Sequence, residues 1–78
     1  MCGLTLKEAK KEAINEAKKY GYFYLTISKQ TEIGWYTERV ATQRTVFFVH
    51  KDGRMELHNS DFARNYQRTH LPNIKLTQ

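Results

Sequence analysis

The hydrophobic period of this chain changes at Gly21, and that change limits the possible folds more than any other feature. Before it, Leu6, Ala9, Ala13, Ala17 and Tyr20 recur in steps of three and four, with Ile14 widening the stripe. That spacing puts them on one face of a helix, and the small alanines let such a face approach a sheet closely. Thr5 followed by Glu8 reads as a capping box, and Gly21 supplies a left-handed stop, so the element is expected within Leu4 to Gly21. After Gly21 the period is two. Phe23, Leu25 and Ile27 alternate with Tyr22, Tyr24, Thr26 and Ser28, which predicts a half-buried strand from Tyr22 to Lys29. A helix followed at once by an alternating strand calls for an α+β domain, and 78 residues leave room for one such domain.

The rest of the chain fits that frame. Gln30 to Gly34 reads as a loop. Trp35 to His50 runs 16 residues without Gly or Pro, so an extended arm or bent hairpin limb is expected before a strand from about Thr45 to His50. Lys51-Asp52-Gly53-Arg54 is a hairpin turn leading to a returning strand, Met55 to His58. Its register is open. A two-residue Asp-Gly turn would pair Val49 with Glu56 and Phe47 with His58, placing Val46, Phe48, Met55 and Leu57 inside. A glycine bulge after a type I turn would slip the pairing by one and bury Phe47 and Val49 instead. In both cases one of Phe47 and Phe48 faces outward. Ser60 is an N-cap for a helix carrying Phe62 and Tyr66, which ends at Leu71-Pro72-Asn73. Ile74 and Leu76 permit a short edge strand or a pinned tail. The expected order is α-β-β-β-α, with a three-stranded antiparallel sheet packed on helices.

Composition closes other routes. There is no apolar run of membrane-spanning length and no apolar leader core, so a soluble cytoplasmic protein is expected. A lone Cys2 forms no disulfide framework. His50, His58 and His70, spaced by 8 and 12 residues, have no soft donor near them, so no metal and no other cofactor is expected. Ser60 and Asp61 are accounted for by capping, and the four glycines are isolated. No catalytic constellation is read from the chain, and it is expected not to be an enzyme.

The charge points elsewhere. Thirteen Lys and Arg against eight Asp and Glu give a net charge of +5. From Met1 to Glu38, six lysines face five glutamates; from Arg39 onward, five arginines and two lysines face three acids. The excess therefore lies in the second half, where the arginine fork suits phosphate or carboxylate. Arg39, Arg44, Lys51, Arg54, Arg64 and Arg68 are the candidate phosphate contacts. Tyr22 and Tyr24, opposite the apolar face of their strand, are the candidate stacking groups, with the outward Phe. Trp35 and Tyr36, beside Gly34, suit a hot-spot contact with a protein partner, and Trp35 equally suits a core plug.

The α-β-β-β-α order with an Asp52-Gly53-Arg54 hairpin resembles double-stranded-RNA-binding domains and HicA-type toxin ribonucleases. The second of these implies a Gly-Ser-His signature at the second strand, where this chain reads Thr42-Gln43-Arg44-Thr45, so no catalytic residue is carried over. The first expectation is a non-catalytic binding module for nucleic acid or a nucleoprotein, of the kind a phage or mobile element directs at host nucleic-acid machinery. It requires the guanidinium groups and uncovered rings to gather in one patch, and about four phosphate contacts would give roughly a 150-fold loss of affinity for a fourfold rise in salt. The alternative is an inhibitor or adaptor, anti-CRISPR-like, docking on an acidic protein through the Trp35-Tyr36 loop and a sheet face, with a homodimer through a strand edge as one form. A third reading, a small toxin-type ribonuclease, would depend on His58 or His70.

Overall fold

The computed structural model describes residues 3–27 and 34–71. Its order is α1 (Leu6–Tyr20), β1 (Tyr22–Ile27), β2 (Trp35–Glu38), β3 (Thr45–His50), β4 (Met55–Leu57) and α2 (Asp61–His70). The α+β class holds, with four strands where three were expected. Beyond Ile27 the predicted end of β1, the loop over 30–33, Cys2, and the tail with Ile74 and Leu76 lie outside the described residues.

The extra strand comes from a break inside the long Trp35–His50 stretch. The Thr45 hydroxyl accepts the Thr42 N–H at 2.7 Å, the Thr42 hydroxyl accepts the Arg44 N–H at 3.2 Å, and the Thr45 N–H reaches the Thr42 carbonyl at 3.2 Å. Threonine side chains thus take backbone groups that a continuous strand would have paired, and the chain turns without Gly or Pro. β2 and β3 then flank β1 on opposite sides in an antiparallel sheet of order β2-β1-β3-β4. Opposite the Leu25–Thr26 step β3 carries one additional residue, Val46.

The caps follow the sequence. Thr5 and Glu8 close a full capping box, and Gly21 ends α1 at φ 93°. Ser60 caps α2, its hydroxyl accepting the Ala63 N–H at 3.1 Å. Gly53 decides the hairpin. It sits at φ 92° while no non-glycine residue among those described has positive φ, which excludes the turn that would need Asp52 there as well. A type I turn closed by Gly53 N–H to His50 O (3.0 Å) leads into a glycine bulge, pairing Val49 with Met55 and Phe47 with Leu57. Phe47 and Val49 go inward and Phe48 outward.

Both helices pack on one face of the sheet: α1 across β1, β2 and β3, and α2 against β3 and β4. Ala9, Ala13 and Ala17 are fully buried against Phe23, Leu25, Ile27, Phe47 and Val49. Trp35 lies in the middle, 2% exposed, stacked on Phe47 at 5.8 Å and edge-on to Tyr66 at 5.8 Å. Tyr20, expected in the buried stripe, is 43% exposed; its ring lies along Phe23 at the rim.

Candidate nucleic-acid interface

With both described helices on one side, the second face of the sheet has no helix over it among the described residues. Strand alternation puts Tyr22 and Tyr24 of β1 there, and the bulged register adds Phe48 of β3 beside them. Ring centroids lie 5.6 Å apart for Tyr22–Tyr24, 5.5 Å for Tyr22–Phe48 and 5.3 Å for Tyr24–Phe48. Two histidines extend the patch, His50 at 4.7 Å from Phe48 and His58 at 5.9 Å from Tyr24. Tyr22 is 37% exposed, and the other four rings are half-buried. Tyr36 of β2, opposite Thr26, adds a ring 38% exposed on the same face.

Charges border this surface on two sides. Glu38 stands opposite Tyr24 and Glu56 opposite Phe48. At the hairpin end, Arg54 donates from Nη2 to His50 Nδ1 at 3.2 Å and lies 3.7 Å from Glu56 Oε2. His50 Nε2 is 3.3 Å from the same carboxylate oxygen. Arginine is only a donor, so His50 Nδ1 is the acceptor and its ring proton sits on Nε2, toward Glu56. Within this cluster His50 Nε2 and Arg54 Nε are buried without an aligned hydrogen-bond partner. The exposed Lys51 shares the turn, and the Arg54 N–H, donating to Asp52 Oδ1 at 2.9 Å, holds the Asp52 carboxyl below its usual range.

The remaining arginines lie elsewhere, so the single patch of guanidinium groups and rings is not what the chain builds. Arg39 covers the Tyr20 ring at 4.1 Å, beside the end of α1. Arg44 donates from Nε to Ile27 O at 2.8 Å and lies 5.0 Å over Phe62. On α2, Arg64 binds Asn59 Oδ1 (2.9 Å) and Asp61 Oδ1 (2.6 Å), and Arg68 binds Asn65 Oδ1 (3.0 Å). These α2 residues and Phe62 line an open groove of about 470 Å³. Among the described arginines and lysines that the sequence singles out, Arg54 and Lys51 are the two that accompany the open-face rings, because α2 packs behind the sheet.

Of the two expected roles of Trp35 the structure shows the core plug and not the surface anchor: alternation along β2 turns it inward and leaves Tyr36 outside. His70 stacks on Tyr66 at 4.4 Å and contacts Thr69 on α2. Glu56 and His50 were not singled out by the sequence reading. The signal was present in the bulged register, which aligns Glu56 with Phe48 and brings His50 beside it. Among the described residues no three of His, Cys, Asp and Glu converge as metal ligands, and no helix is long and apolar enough to cross a membrane. Compared with family models, curated proteins and solved structures, the chain finds no match.

Proposed function

We propose that the open sheet face binds single-stranded nucleic acid, with Tyr22, Tyr24 and Phe48 as stacking platforms and Lys51 and Arg54 on the phosphates. The observation that carries this reading is the trio of adjoining rings on the two central strands, on a face that no described helix covers. Bases stack on aromatic side chains whatever their sequence, and each such contact contributes about 1–3 kcal/mol. A duplex offers no free base faces, so a single strand is the better fit. With two described cations at the face rather than four, the salt slope shrinks. A slope of about −0.7 per contact predicts roughly a sevenfold loss of affinity for a fourfold rise in salt.

Fluorescence anisotropy with a labelled mixed-sequence single strand tests this. Binding that is lost when Tyr22 and Phe48 are both changed to alanine supports the reading. No binding at low salt, or equal binding by that variant, contradicts it. A second reading is a protein partner on the same face, favoured by the placement of Arg39, Arg44, Arg64 and Arg68 away from the rings, which removes the single patch that the nucleic-acid expectation required, and by Glu38 and Glu56, which offset the cations beside the rings. Pull-down with and without nuclease separates the two: a partner retained after nuclease and lost in the variant favours the protein.

A further inference from the structure

The groove on the outer side of α2 has no part in the binding proposed above. Arg64 and Arg68 stand along it one helical turn apart, with Asp61, Asn65 and the Phe62 ring completing its described lining around about 470 Å³. That volume lies within the range of ordinary ligand sites. From the turn ahead of β3 the Arg44 guanidinium reaches to 5.0 Å over the same ring, so three arginines gather where α2 itself supplies one acid. Like charges four residues apart on a helix repel, and a carboxylate offsets only one of this pair. Arg64 gives Nη2 to Asp61 at 2.6 Å and Nη1 to Asn59 at 2.9 Å. Arg68 gives Nη2 to the neutral Asn65 at 3.0 Å and has no acidic partner among the described residues. Both side chains are exposed, Arg64 by 51%. A guanidinium carries five N–H donors, so these contacts steady each fork and still leave donors for a ligand.

We propose that this groove binds a short acidic segment of a protein partner, with carboxylates on Arg64 and Arg68 and an apolar side chain against Phe62. Charge and spacing both fit. Four residues of helix set the two arginines about 6 Å apart along the axis, and alternate residues of an extended peptide repeat at about 6.6 Å. Acids at alternate positions therefore reach both forks, and an apolar residue in the same alternation reaches the ring. A nucleic acid finds no platform here, because Phe62 lies under Arg44 and its other ring neighbour, Tyr66 at 6.1 Å, is buried. The groove is separate from the open sheet face, since α2 packs behind β3 and β4. The inference does not depend on the single-strand reading.

The test titrates the ¹⁵N-labelled full chain with a short peptide carrying a leucine and two glutamates at alternate positions, and with the same peptide carrying glutamines instead. Backbone amides and arginine Nε–H signals are followed. The expected result is that the glutamate peptide shifts Phe62, Arg64, Asn65 and Arg68, leaves Tyr22 and Phe48 in place, and binds more tightly than the glutamine peptide. Changing Arg64 and Arg68 together to glutamine should weaken the glutamate peptide by about tenfold, two exposed charge pairs, with oligonucleotide affinity retained. Should that variant not fold, Arg68→Gln alone carries the comparison, since Arg68 lies away from the Ser60 cap. Equal binding of the two peptides, shifts centred elsewhere, or unchanged affinity in the folded variant overturns the inference. A single-stranded oligonucleotide that displaces the peptide from these four residues also overturns it, because the groove then reads phosphates. Failure of the peptide leaves the open-face reading standing, which oligonucleotide binding alone decides.

Discussion

The two faces of the sheet are built from the same strands and differ in almost everything else. Inward, Phe23, Leu25, Ile27, Trp35, Phe47 and Val49 are sealed under alanines of α1 and Tyr66 of α2. Outward, Tyr22, Tyr24, Tyr36, Phe48, His50 and His58 are aromatic and polar, and no described helix lies above them. Neighbours in sequence thus have opposite surroundings: Phe47 is fully buried, and Phe48 lies in the open cluster. Burial explains the inward rings completely. It does not explain why the other face carries so many rings, and that asymmetry makes the open face the candidate for function.

The sharpest way to break the comparison is to truncate the adjacent phenylalanines. Phe47→Ala should cost about 3–5 kcal/mol of stability by urea unfolding, the range for emptying an aromatic site in a packed core. Phe48→Ala should cost much less and should weaken oligonucleotide binding instead. Equal losses of stability would mean that the outer rings are a second core. Next is Thr45, fully buried, which holds the Thr42 N–H and the Thr26 hydroxyl at 3.0 Å. Thr45→Val strands both partners and should destabilise by about 1–3 kcal/mol in the same assay.

On the open side, Tyr22→Ala should lower single-strand affinity by about 5- to 150-fold, one stacking contact, while hardly moving the melting temperature. Reversing the charge of Arg64 and Arg68 should leave that affinity nearly unchanged at physiological salt, because α2 lies behind the sheet, beyond the screening length of about 8 Å. Anisotropy reads both. The smallest effect concerns Asp52. Its folded carboxyl titrates below the ordinary value, so its contribution to stability is present above that value and lost as pH falls through the lowered one. Asp52→Asn should therefore flatten the steep acid end of the stability profile and leave neutral pH little affected.

Local chemistry made much of the fold legible. Thr5, Glu8 and Gly21 bounded α1, Ser60 bounded the start of α2, and alternation from Tyr22 located β1 and its two faces. Asp52-Gly53 narrowed the hairpin to two registers, and only the backbone of Gly53 chose between them. The split of Trp35–His50 was hidden because it depends on threonine hydroxyls capturing backbone groups, which leaves no Gly or Pro behind. The candidate site was legible in its rings and not in its charges. Tyr22 and Tyr24 follow from period two, but an arginine's position in the chain says little about where its long side chain reaches. Arg44 ends over Phe62 and Arg39 over Tyr20, contacts made between elements distant in sequence.

The most direct measurement of the central claim is a ¹H–¹⁵N NMR titration of the chain with a short single-stranded oligonucleotide. The account expects the shifted amides to concentrate at Tyr22, Tyr24, Phe48, His50, Arg54 and His58, with α1 and α2 quiet. Shifts gathered instead around Arg64 and Arg68, or spread evenly over the surface, would contradict it.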